Sequence, residues 1–172
     1  MYCVQVETGR ERAWVSHLSS TGISFDLQTY WPRRKMYILK KGHWREDIIP
    51  LFKGYLFIES LADEGMLVDI VRRVPHFIRF LRSNSQVEQL SSADELKIRR
   101  LMQFGEVIPV SSGIVLAGKR IRIVSGPLFG LEGSVVEINA RRRRVKVEVG
   151  LYDNMFRVDL GFEQINCQTS VL

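Results

Sequence analysis

Cysteine is scarce in this chain. Only Cys3 and Cys167 occur, near opposite ends and without Cys-x-x-Cys spacing. That excludes a zinc ribbon, a dithiol redox motif and a disulfide scaffold, and two thiols without other staples fit a reducing cytoplasm. Histidine is equally sparse. His17, His43 and His76 are set apart by strong secondary-structure signals, with no Ser/His/Asp or Cys/His arrangement around them. No glycine-rich phosphate loop opens a helix. Neither catalysis, nor a metal site, nor a cofactor is expected. No apolar run approaches ~18 residues, so no membrane span is expected. The opening MYCVQVETGRE lacks the basic-then-apolar order of a signal peptide, so the protein is expected to stay in the cytoplasm.

Positive charge is in excess. The 172 residues carry a formal net charge of +6, with a hydrophobic fraction of 45%. Residues 1–110 hold 16 Lys/Arg against 13 Asp/Glu, and residues 111–172 hold 9 against 6, so each part carries +3 and the shorter one is the denser. Such a balance favours a polyanion, nucleic acid first, although solubility alone is a sufficient reason for many proteins.

The pattern of residues 1–104 reads as an α+β domain in the order β α β β β α β α. Strands are expected at 2–6, 25–31, 52–60 and 76–81. A basic hairpin, RRKMYILKKGHWRED, turns at Lys41-Gly42. Thr8 to Glu11 and Ser92 to Glu95 fit capping boxes. The first opens a helix carrying Ala13, Trp14, Val15 and Leu18 that stops by Gly22. The second opens one carrying Ile98, Leu101 and Met102 that stops at Gly105. Another helix is expected over 62–73. Residues 105–117, with Pro109, Ser111, Ser112 and Gly113, read as a linker. Short strands near 120–125, 132–140, 144–150 and 154–159 then suggest a small SH3-like barrel over 118–167.

Three segments carry a family resemblance. AGKRIRIVSGPLFGLEGSV, residues 117–135, places Ile121, Ile123 and Val135 at strand spacing around a Gly126-Pro127 turn. It resembles a KOW motif. PLFKGYLFIE, residues 50–59, and VPHFIRF, residues 74–80, are similar to two segments of the NGN domain. In this order and spacing they make the chain resemble the NusG family of transcription elongation and antitermination factors, with an NGN domain, a linker and a KOW domain. The details are most similar to the specialised paralogues of the LoaP and RfaH type.

The resemblance implies a factor that binds bacterial RNA polymerase on its clamp helices, bridges the DNA channel and promotes processive antitermination of selected operons. Mapped by position, the clamp-binding aromatics are Tyr55 and Phe57, two apart and so on one face of a strand. Filling the domain's own core is the other reading of both. Arg10, His17, Arg72 and Arg73 fall at positions that face non-template DNA in RfaH-type members. For Arg10 and Arg73 a solvated helix face is the alternative. Gly65 and Met66 fall where a second polymerase contact lies in the family.

Arg141, Arg142, Arg143 and Arg144 sit between two apolar-alternating segments, which places them on a hairpin turn. With Lys119, Arg120, Arg122 and Lys146 they are expected to form a basic face for a nascent RNA hairpin, with salt-dependent affinity. A charged tip that keeps a sheet edge soluble is the bland alternative. Family members also use this domain on a ribosomal protein. The rival function is a ribosome-associated or translation-coupling RNA-binding protein of KOW type. A monomer is expected.

Overall fold

The computed structural model describes residues 1–20, 27–81, 87–152 and 154–165, with the backbone alone of Lys119. Gly22 and Cys167 lie outside the described residues. The chain divides into two compact units, one of residues 1–32 and 52–96, the other of residues 33–51 and 97–172. Residues 33–51, which fall inside the expected 1–104 domain, thus group with the second unit.

In the first unit, strands β1 (Tyr2–Val6), β2 (Leu27–Tyr30), β5 (Tyr55–Ser60) and β6 (Phe77–Phe80) form an antiparallel sheet in the order β2-β5-β1-β6. Alternation along the strands sends Val4, Val6, Leu56 and Ile58 to one face. There they meet Trp14 and Leu18 of helix α1 (Glu11–Ser20) and Leu67 and Val71 of helix α2 (Glu64–Arg73), closing an apolar core with Phe80. Asp63 caps α2, its carboxylate accepting the Met66 N–H at 3.0 Å. The Thr8 capping box does not form. α1 begins at Glu11, whose carboxylate accepts the N–H groups of Gly9 and Gly54, both at 2.8 Å. Gly54 has φ +76, and a Cβ there would stand 2.9 Å from the Val6 carbonyl oxygen. The start of β5 therefore requires glycine.

The second unit contains the basic hairpin, β3 (Arg33–Lys40) and β4 (His43–Pro50), turning at Lys41 and Gly42 as expected. β3 also pairs in parallel with β7 (Val107–Ile108). Strands β8 (Ser111–Leu116), β9 (Arg120–Ser125), β10 (Val135–Asn139), β11 (Arg144–Leu151) and β12 (Asn154–Gln164) make a five-stranded sheet in the order β10-β11-β12-β8-β9. β11 alternates strictly, burying Val145, Val147, Val149 and Leu151 with Val158, Leu160 and Phe162 of β12. The expected linker 105–117 therefore holds two strands. β8 pairs with β9 and β12, and the buried Ser111 hydroxyl accepts the Leu128 N–H at 3.0 Å. Helix α3 (Ser92–Leu101) is capped one residue earlier than expected, by Ser91, whose hydroxyl accepts the Asp94 N–H at 3.1 Å. The architecture is α+β with a C-terminal β unit.

Candidate nucleic-acid interface

The Lys35 carbonyl of β3 runs so near β12 that a Cβ on Gly161 would stand 2.7 Å from it. This close approach sets the hairpin beside the β10–β11 connection within the second unit. That connection is a 3-10 turn, Ala140–Arg142, with Asn139 as its cap: the Asn139 side chain accepts the Arg142 N–H at 3.0 Å. Arg143 follows in the left-handed region, φ +51. Its N–H donates to the Ala140 carbonyl, and its own carbonyl accepts the Phe162 N–H, both at 3.0 Å.

This anchoring decides where the four arginines point. The Arg143 guanidinium carbon lies 5.1 Å from the Tyr37 ring centroid and 5.3 Å from that of Trp44, within cation–π range. Arg144 pairs with Asp159 at 3.5 Å. Lys146 is held by Glu137 at 2.6 Å, and that hydrogen bond raises the pKa of the lysine and lowers that of the carboxyl. Arg141 and Arg142 are exposed. Beside them opens a groove of about 920 Å³, lined by Ile38, Leu39, Trp44, Asn139, Arg141, Arg142 and Arg144. Within the hairpin, Arg34 of β3 is buried and donates to the Leu51 carbonyl at 2.8 Å. Burial pushes its pKa below the usual guanidinium range, Asp159 opposes this, and Arg144 adds to it.

The eight basic residues expected on one face are divided. Arg120 and Arg122 are exposed on β9, at the opposite end of the strand order from the arginine turn. The Lys119 side chain lies outside the description. Tyr37 and Trp44 were missed as site residues. Their signal, aromatics interleaved with Arg and Lys in the hairpin, stands in the sequence.

In the first unit Tyr55 is half-buried on the sheet face away from the helices. Phe57, on the same face, is 0% exposed and meets Phe52 edge-on at 6.0 Å between centroids. A ring without exposed area offers a partner nothing to touch, so of this pair only Tyr55 reaches the surface. Arg10, His17, Arg72 and Arg73 are all exposed. Arg10 precedes α1 and His17 lies in its last turn, about 10 Å further along the axis, while Arg72 and Arg73 end α2. Met66 is half exposed in the first turn of α2. Among the described residues no three of His, Cys, Asp and Glu gather as metal ligands, and no helix is long and apolar enough to cross a membrane.

Comparisons with known proteins agree with this architecture. A family model described as "Transcription termination factor nusG" matches residues 1–100. The transcription termination/antitermination protein NusG of Treponema pallidum is 30% identical over 180 residues, covering 95% of this chain and 96% of its own. Its namesake from Thermus thermophilus is 29% identical over 179 residues, with the same coverages. That of Escherichia coli K12 is 25% identical over 136 residues, covering 78% of this chain and 74% of its own. A solved structure titled "Domain interaction in Thermotoga maritima NusG" shares the fold, with a TM-score of 0.54 at 23% identity over 93% of this chain and 92% of that one. The chain therefore belongs to the NusG family, whose members are transcription factors and not enzymes.

Proposed function

We propose that this protein is an elongation factor that binds bacterial RNA polymerase and promotes processive antitermination of selected operons, in the manner of the LoaP and RfaH-type paralogues. Residues 1–104 act as the NGN domain and 118–167 as the KOW domain. Tyr55 makes the contact to the clamp helices, with Phe57 behind it as a fixed support. Arg10, His17, Arg72 and Arg73 face non-template DNA. The protein works as a monomer in the cytoplasm. The observation that carries the nucleic-acid part is the exposed pair Arg141 and Arg142 at the rim of a groove floored by Trp44 and Leu39. Arginine forks grip phosphate, and their planes stack on unpaired bases, so the occupant of this site is nascent RNA.

A second reading for the C-terminal unit is a protein partner such as a ribosomal protein. It is favoured by the exposed apolar side chains of Val124, Phe129, Val136 and Met155. The deciding experiment is binding of the purified chain to core RNA polymerase, followed by transcription through a terminator. Polymerase binding with increased read-through supports the proposal. No polymerase binding overturns it in favour of a ribosome-side role.

A further inference from the structure

The groove between the hairpin and the arginine turn has the composition of a nucleotide pocket rather than of a phosphate-only strip. Its floor is apolar and aromatic: Ile38, Leu39 and Trp44. Leu39 is 56% exposed and Trp44 38% exposed, although both are large apolar side chains. They stand directly opposite each other in the β3–β4 register, so they share one face of the hairpin. The rim is polar and cationic: Asn139, Arg141, Arg142 and Arg144. Strand alternation puts a second depression, lined by Lys40, Lys41, His43 and Arg45, on the other face of the same hairpin. Among the described residues no carboxylate lines either one.

Phosphate neutralisation alone needs no apolar floor. A protein side chain seated in the groove needs no cationic rim. A nucleobase with its adjoining phosphate matches both features. Paired bases are unavailable for this, because an A-form duplex buries their faces and offers a narrow major groove. Arg143 holds Trp44 in place by stacking over it and Tyr37. The platform is thereby set before any ligand arrives, which reduces the ordering cost of binding.

We infer that this groove takes one unpaired RNA base, stacked on Trp44, with its adjoining phosphate on Arg141 and Arg142. The inference rests on the RNA contact proposed above and adds its substrate class: RNA with a bulged or looped-out nucleotide. The hairpin, not only the arginine turn, then carries the selectivity.

The test uses the full chain and three probes: an RNA duplex with one bulged adenosine, the same duplex without the bulge, and the bulged duplex with an abasic nucleotide at that position. The bulged duplex should bind about tenfold tighter than the other two, as loss of one stacked base implies. Trp44→Ala should erase that preference, and Trp44→Phe should keep most of it. Binding should quench tryptophan emission in the parent chain and not in Trp44→Phe, which keeps the test valid if Trp44→Ala is poorly folded. Arg141→Ala with Arg142→Ala should weaken all three probes alike. Equal affinity for all three probes overturns the inference. So does preference retained in folded Trp44→Ala. Absence of any RNA binding at low salt overturns the underlying RNA reading instead.

Discussion

Glu11 and Gly54, 43 residues apart in sequence, are joined by a buried hydrogen bond of 2.8 Å from the Gly54 N–H to the Glu11 carboxylate. The other carboxylate oxygen accepts the Gly9 N–H at the same distance. One side chain thus ties the start of β5, and with it Tyr55, to the first turn of α1. Glu11→Gln replaces one accepting oxygen with a donor and leaves one of the two N–H groups without its partner. The expected cost is about 1–3 kcal/mol, read as a lowered urea midpoint with an unchanged slope. A midpoint equal to that of the parent chain contradicts the role given to Glu11.

This bond also shows where sequence reading stopped. The capping signal Thr8-Gly9-Arg10-Glu11 correctly announced a helix, but a pattern of neighbours cannot reveal that Glu11 is claimed by a glycine far along the chain. The Lys41-Gly42 hairpin was legible because its turn residues and flanking strands are local. β8 was not. Ser111-Ser112-Gly113 has weak strand propensity, and it becomes a strand because β9 and β12 supply partners and Gly113 admits the Arg122 carbonyl. The arginine run was visible as a turn. Its division into Arg143 on aromatics, Arg144 on Asp159 and an exposed Arg141-Arg142 pair depends on a hairpin about a hundred residues earlier.

Tyr55 and Phe57 share a face of β5 but differ in burial, and their variants should separate accordingly. Tyr55→Ala should leave the thermal midpoint nearly unchanged and weaken polymerase binding by about 2 kcal/mol, as truncation of an interface anchor does. Phe57→Ala should cost about 3–5 kcal/mol of stability through the cavity it leaves. Calorimetry and polymerase titration on both variants check this. A stable Phe57→Ala chain would place that ring outside the core.

Ser111 is fully buried, and its hydroxyl accepts the Leu128 N–H at 3.0 Å at the Gly126-Pro127 turn. Ser111→Ala should destabilise the chain by about 1–3 kcal/mol, because the N–H is left dry and unpaired. Amide exchange at Leu128 should accelerate while exchange at Leu56 in β5 is unaffected. Unaltered protection at Leu128 would show that the hydroxyl is dispensable.

Cys3 carries a pH dependence. Burial pushes its thiol far above the ordinary range, whereas the unfolded thiol ionises near about 8.5. The folded chain keeps a proton that the unfolded chain releases. The stability linked to this site is therefore whole below about pH 8.5 and declines as pH rises, by up to about 1.4 kcal/mol per pH unit. Cys3→Ala should show a shallower alkaline loss than the parent chain in denaturation series from pH 7 to about 10. Parallel curves would mean that the site is open to solvent.

The salt dependence of RNA binding should follow the division of the arginines. Arg141 and Arg142 are exposed, whereas Arg143 is stacked and Arg144 and Lys146 already face Asp159 and Glu137. Each phosphate contact made by a solvent-facing cation releases a counterion, and a cation already paired with a carboxylate releases less. The double variant Arg141→Ala, Arg142→Ala should flatten the slope of log affinity against log salt by up to about two contacts. Lys146→Ala should change it by less than one. Arg143→Ala should act differently, lowering affinity with little change in slope, because it removes the support of Trp44 rather than a phosphate contact. Affinity measured at four or more salt concentrations distinguishes these cases. An equal loss of slope for Arg143→Ala and the double variant would show that the aromatic stack opens on binding and that all the arginines meet phosphate.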